Sequence, residues 1–225
     1  MKTTHALFVL LLVSLSVDVV QAGGPSEFSR YFKDRTFRFD YFHTGTKGEE
    51  RISADKMYED GGWPGSMTAL VDTMNLGEYV FEIIDAASNR TIYSRGYSSL
   101  FNEWQTTDEA LAGTYRTFQE SVRFPYPLRK FQLKILRRNK QMVFSEIYSS
   151  VIDPSAIEIH HGNRAANVRS FDVISSGDAH AKVDIAILGD GYTKEEMPKF
   201  RKDVTHFIDV LFSTEPFKNR KKDFN

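Results

Sequence analysis

Six histidines, thirty acidic residues and no cysteine set the chemical repertoire of this 225-residue chain. Zinc binding on a helix asks for two His one turn apart, as in H-E-x-x-H, and the sequence contains no such run. His160-His161 is the one adjacent pair. Neighbours on an extended strand project to opposite faces, so the two are not expected to share a metal. His43, His180 and His206 stand alone, and His206, between Thr205 and Phe207, reads as helix surface. Proximity in sequence assembles no Ser-His-Asp triad. Glu195-Glu196 is better explained by the positive end of a helix dipole than by acid-base work. Gly189-Asp190-Gly191 occupies the place of a dinucleotide-binding turn, but G-x-G-x-x-G needs a Gly where the chain has Lys194. A Walker lysine motif is absent as well. The basic cluster Lys218, Arg220, Lys221 and Lys222 is short and reads as a solvated loop. No catalytic, cofactor-binding or metal-binding residue is assigned on these grounds.

The elements around the Gly-Asp-Gly turn are more informative. Val183, Ile185, Ala186, Ile187 and Leu188 form a nearly continuous apolar run, as expected of a strand covered on both faces. Thr193-Lys194-Glu195-Glu196 has the form of a capping box. Met197, Phe200, Val204, Phe207, Ile208, Leu211 and Phe212 then recur at helical spacing and predict an amphipathic helix ending before Pro216. Pro198 sits early in that helix, where an irregular first turn is expected. Residues 183–225 thus read as the first βα unit of an α/β domain whose remainder is expected to lie outside the chain.

From residue 34 to 152 the period is two. Phe37, Phe39 and Tyr41 alternate with Arg38 and Asp40, and Phe131, Leu133 and Ile135 alternate with Gln132 and Lys134. Ile52 to Tyr58, Tyr79–Ile84, Ile92–Tyr97, Tyr115–Phe124 and Val143–Val151 add further strands. Ala87-Ser88-Asn89-Arg90 reads as a hairpin turn, although Asn89-Arg90-Thr91 also matches a glycosylation sequon. Seven or eight strands without a helix predict an immunoglobulin-like β-sandwich. Trp63 in Gly61-Gly62-Trp63-Pro64-Gly65 is expected to plug one end of it, and Phe124-Pro125-Tyr126-Pro127 to cross between sheets. Residues 156–182 read as a linker, with short strands expected at Ala156–His160 and Val168–Ile174.

Lys2, the apolar stretch Leu7–Val17 and Val20-Gln21-Ala22 form a cleavable secretory signal over residues 1–22. Asp18 leaves the apolar run short of the ~20 residues that a membrane span needs. An exported chain of this size without cysteine fits a bacterial periplasmic or extracellular protein, and it excludes a cysteine-linked lipid anchor. The formal net charge of −1 gives no general pull toward nucleic acid.

Residues 183–225 resemble secreted bacterial zinc metallopeptidases of the IgA peptidase type. The similarity is carried by VDIAILGDGYTKEEMPKF at 183–200, Val210-Leu211-Phe212, STEPF at 213–217 and the closing Asp223-Phe224-Asn225, which looks like the start of the next strand. Residues 27–160 look like the β-sandwich that precedes the peptidase domain in that family. The resemblance implies a mostly β chain: a signal peptide at 1–22, a sandwich at 23–155, a linker at 156–182 and an incomplete start of a zincin-like catalytic domain at 183–225. It further implies a zinc endopeptidase acting on a protein or glycoprotein substrate, with zinc expected in the full-length family member and none bound by this chain. No metal or catalytic residue carries over, because none of the six histidines matches the ligand motif. The alternative is an exported β-sandwich binding or adhesion module using aromatics near Trp63 or Trp104, a reading that leaves the 183–225 unit unexplained.

Overall fold

The computed structural model describes residues 25–162 and 169–225; the signal-peptide segment 1–22 lies outside the described residues. After helix α1 (Pro25–Tyr31) come strands β1 (Phe32–Thr46), β2 (Glu49–Glu59), β3 (Tyr79–Asp85) and β4 (Arg90–Tyr97). Two short helices, α2 (Leu100–Trp104) and α3 (Asp108–Leu111), precede β5 (Arg116–Pro127), β6 (Phe131–Arg138), β7 (Phe144–Ile152) and β8 (Ile159–His161). Helix α4 (Met197–Leu211) follows in the C-terminal part.

The strands form two four-stranded sheets, ordered β5-β1-β2-β8 and β4-β3-β6-β7. Every pairing is antiparallel except β8 on β2. The expected β-sandwich is therefore present, and its period-two pattern is what closes it. Phe37, Phe39 and Tyr41 on β1 point inward and are almost fully buried, opposite Phe131, Leu133 and Ile135 of β6. Phe37 stacks on Phe124 with ring centroids 5.0 Å apart and meets Phe131 edge-on at 5.4 Å, joining the two sheets. Each such fully buried side chain is worth roughly 1.5–3 kcal/mol against exposure.

Several expectations need correction. The segment between β4 and β5 is helical, not strand-only. Ser99 caps α2 by accepting from the Phe101 amide, and Thr107 caps α3 by accepting from the Ala110 amide. Phe124-Pro125-Tyr126-Pro127 is not a crossover but the end of β5, buried and in register with Phe32 to Phe37 of β1. Pro125 borders a shift of register in the ladder and Pro127 is the last residue of the strand, so their missing amide hydrogens are tolerated. Residues 169–174 form no strand. Trp63 does plug the sandwich: it is 8% exposed, meets Tyr93 edge-on and packs so closely on Gly65 that a Cβ there would lie 2.4 Å from its ring.

In the C-terminal part the apolar run 183–188 is extended but not a ladder strand. It makes one parallel bridge, Val183 to Phe224, and Leu188 is 85% exposed. A ladder needs a partner segment of matching length, and among the described residues only the short Asp223–Asn225 end lies beside this run. The bridge agrees with the reading of Asp223-Phe224-Asn225 as a strand start: Val183 N–H donates to Asp223 O at 2.9 Å and Ile185 N–H to Asn225 O at 3.0 Å. The capping box forms by half. Glu196 accepts from the Thr193 amide at 3.0 Å, but the helix begins only at Met197. Pro198 therefore lies in the first turn, where no intrahelical donor is needed and the turn stays regular.

Candidate functional site

The C-terminal unit is held by aromatic contacts near the two ends of α4. Phe200 packs against Tyr192 (5.0 Å) and Phe171 (5.9 Å), and Phe212 packs against Phe224 (5.4 Å). Gly191 adopts φ +80°, which a side chain would disfavour, so the turn before the helix needs glycine. The Asn225 side chain ties the ends together. Its Oδ1 accepts from the Ser176 and Gly177 amides at 2.7 and 3.2 Å, and its Nδ2 donates to Asp184 Oδ1 at 2.8 Å. Of the seven-residue apolar stripe, Phe200, Val204 and Phe212 are buried, whereas Phe207 is half exposed. An open apolar cavity of about 1250 Å³ remains, lined by Phe171, Val173, Ile185, Ile187, Val204 and Ile208 among others.

The histidines fall into different settings. His160 lies against Tyr58, while His161 Nδ1 is 3.0 Å from Glu59 Oε2, so the adjacent pair diverges as strand alternation requires. His206 is exposed on α4. His180 reaches from the C-terminal part to the sandwich, with Nδ1 3.0 Å from Gly65 O and Nε2 3.7 Å from Asp34 Oδ2.

His43 is the residue that sequence reasoning left isolated and the fold does not. Its side chain is fully buried. Nε2 lies 2.9 Å from Glu50 Oε2 on β2, and Nδ1 lies 3.2 Å from Glu120 Oε2 on β5. Glu50 also accepts from Tyr79 at 3.0 Å and pairs with Arg137 of β6, which bonds Glu78 and Gln105 in turn. Glu120 also accepts from Tyr41 at 2.9 Å and from Ser99. Burial by itself would push the His43 pKa down, but the hydrogen bonds to Glu120 and Glu50 outweigh it and raise it above 6.5. Burial would likewise raise both carboxyls. The bonds from His43 prevail, joined at Glu50 by Arg137 and Tyr79 and at Glu120 by Ser99 and Tyr41, so both carboxyls titrate below 4.5. The signal available in the sequence was faint: His43 falls on the inward phase of the Phe37-Phe39-Tyr41 alternation, where a polar residue needs partners.

These residues do not suit zinc. A zinc centre needs three or four side-chain donors converging on one point, and no group of three or more His, Cys, Asp or Glu is so placed among the described residues. In the His43 cluster both ring nitrogens are already spent on carboxylates, and Arg137 brings a positive charge to the same carboxylate. The two tryptophans are both buried, Trp63 at 8% and Trp104 at 6% exposure, so neither indole is itself an exposed aromatic platform.

Comparison with protein families agrees with this arrangement. Residues 171–225 match the IgA Peptidase M64 family, and residues 27–149, more than half of the chain, match the Peptidase M64 N-terminus. No curated protein matches the chain. The described residues form a β-sandwich over the first match and a turn-helix unit over the second, and the chain belongs to the M64 peptidase family.

Proposed function

We propose that the chain is the N-terminal portion of a secreted zinc metallo-endopeptidase that hydrolyses a protein or glycoprotein substrate. The observation that carries the reading is the ordered pair of family matches, N-terminal domain then peptidase, over a sandwich followed by the Gly189–Leu211 turn and helix. In this reading residues 1–22 are a cleaved signal peptide and 23–155 the sandwich domain. Residues 156–182 are the linker, and 183–225 open the catalytic domain. Export to the periplasm or medium rests on Lys2, Leu7–Val17 and Val20-Gln21-Ala22. No helix among the described residues is long and apolar enough to cross a membrane.

The zinc ligands and the general base are assigned to sequence beyond these 225 residues, since H-E-x-x-H does not occur within them. What these residues supply is a frame: the sandwich, the His180 contact to it, and an apolar helix face against which a sheet can pack. Sequencing the coding DNA past codon 225 tests this directly. An in-frame continuation encoding H-E-x-x-H is expected, and a stop codon at that point would overturn the reading.

A further inference from the structure

We propose that His43 is a proton-operated clasp: charged, it ties Glu50 of β2 to Glu120 of β5 and keeps residues 99–114 seated on the sandwich, and loss of its proton unseats them. The argument begins with hydrogen counting. An imidazolium has two N–H groups and satisfies both carboxylates, whereas neutral imidazole has one N–H and one lone pair. After deprotonation one buried carboxylate oxygen, 2.9 or 3.2 Å away, would face a lone pair. An unsatisfied buried charge cannot persist, and the site relieves it by opening to water.

The titratable and charged groups around the ring come from strands β1 to β6. Tyr41 comes from β1, Glu50 from β2, Tyr79 from β3 and Tyr97 from β4. Glu120 comes from β5, and Arg137 from β6 with Glu78 beside it. Burial raises Tyr41, Tyr79 and Tyr97 well above ordinary phenols, so they stay neutral, and Arg137 stays charged. Of these groups, His43 is therefore the one whose charge changes as pH rises above 6.5.

The 99–114 segment responds because its anchors converge on the same groups. The Ser99 hydroxyl donates to Glu120 Oε1, and the Phe101 ring lies 3.9 Å from the imidazole centroid. Gln105 accepts from Arg137 at 3.1 Å and donates to Thr46 O at 2.7 Å, while Thr46 donates to Ala110 O at 2.9 Å. When the Glu120–His43–Glu50 bridge opens, Ser99, Phe101 and Gln105 each lose a partner or the position of one.

Hydrogen exchange read by mass spectrometry between pH 6 and 9, corrected for intrinsic rates, tests this beside an NMR titration of the His43 ring. The expected result is an imidazole that titrates above 6.5, with protection of residues 99–114 falling tenfold or more across that titration while residues 131–138 keep theirs. His43→Gln abolishes the pH dependence. If that variant does not fold, Ser99→Ala is read instead: it keeps the titration but leaves 99–114 poorly protected at both ends of the range. Equal protection of 99–114 on both sides of the titration, loss of 131–138 in step with it, or wild-type protection in Ser99→Ala would each overturn the clasp.

Discussion

The imidazole of His43 and the ring of Phe101 lie nearly parallel, with centroids 3.9 Å apart and planes 22° apart. The first helix after β4 thus lays an aromatic lid on the most polar point of the sandwich interior. Phe101 also centres the small cluster with Trp104, Ala110 and Phe118. Its position explains how a charged ring is kept at zero exposure while hydrogen-bonded on both sides.

Phe101→Ala should therefore cost more than area alone. A buried Phe truncated to Ala typically loses about 3–5 kcal/mol, and here water also gains access to the His43–Glu120 pair. Urea denaturation at pH 6 checks this. Phe101→Leu, which keeps most of the cover, should lose markedly less.

The charge cluster predicts a two-sided dependence of stability on pH. His43 is raised in the folded state, so its contribution is complete below 6.5 and is lost as pH climbs through the folded value. Glu50 and Glu120 are lowered, so theirs is complete above 4.5 and is lost as pH falls through their folded values. Stability should plateau between about pH 4.5 and 6.5 and decline on either side. Denaturation midpoints over pH 3 to 9 measure the curve, and His43→Gln should remove the alkaline decline attributable to this cluster.

Two glycines separate close approach from mere looseness. A Cβ on Gly96 would sit 1.9 Å from the Leu76 carbonyl oxygen, a backbone atom that cannot step aside cheaply. Gly61 has open space around its virtual Cβ. Gly96→Ala should cost on the order of 1–3 kcal/mol or more, whereas Gly61→Ala should stay within about 0.5 kcal/mol. Thermal unfolding of the two variants side by side decides it.

The sandwich was readable because its information is local and repeated: Phe37-Phe39-Tyr41 and Phe131-Leu133-Ile135 each state a face. The β1–β2 and β1–β5 registers then bring His43, Glu50 and Glu120 together across separations of 7 and 77 residues. No local pattern encodes such a meeting, which is why the cluster was missed. Helices α2 and α3 were missed for a different reason. Five and four residues are too few to show a helical period, and only their caps, Ser99 and Thr107, signal them. The 183–188 run misled in the opposite direction, since its composition states a buried strand while its only ladder neighbour among the described residues is Phe224-Asn225.

The same economy of contacts makes residues 169–182 the expected point of cleavage. Between 169 and 182 the backbone is held by a single 3₁₀ turn at Ala179–Ala181 and by the Asn225 side chain at Ser176 and Gly177. The strands of the sandwich, by contrast, are laddered throughout. His180 is the tie from this stretch to the Trp63 loop: its ring nitrogen meets Gly65 O at 3.0 Å, and Asp34 also accepts from the Trp63 amide at 3.3 Å. Proteases cut where backbone leaves its hydrogen bonds at little cost. Limited trypsin digestion should make its first cuts at Arg169 or Lys182 and leave the sandwich intact, and His180→Ala should speed those cuts several-fold without changing the sandwich's unfolding midpoint. First cuts within β1–β8, or an unchanged rate in the variant, would show that His180 does not hold the C-terminal unit in place.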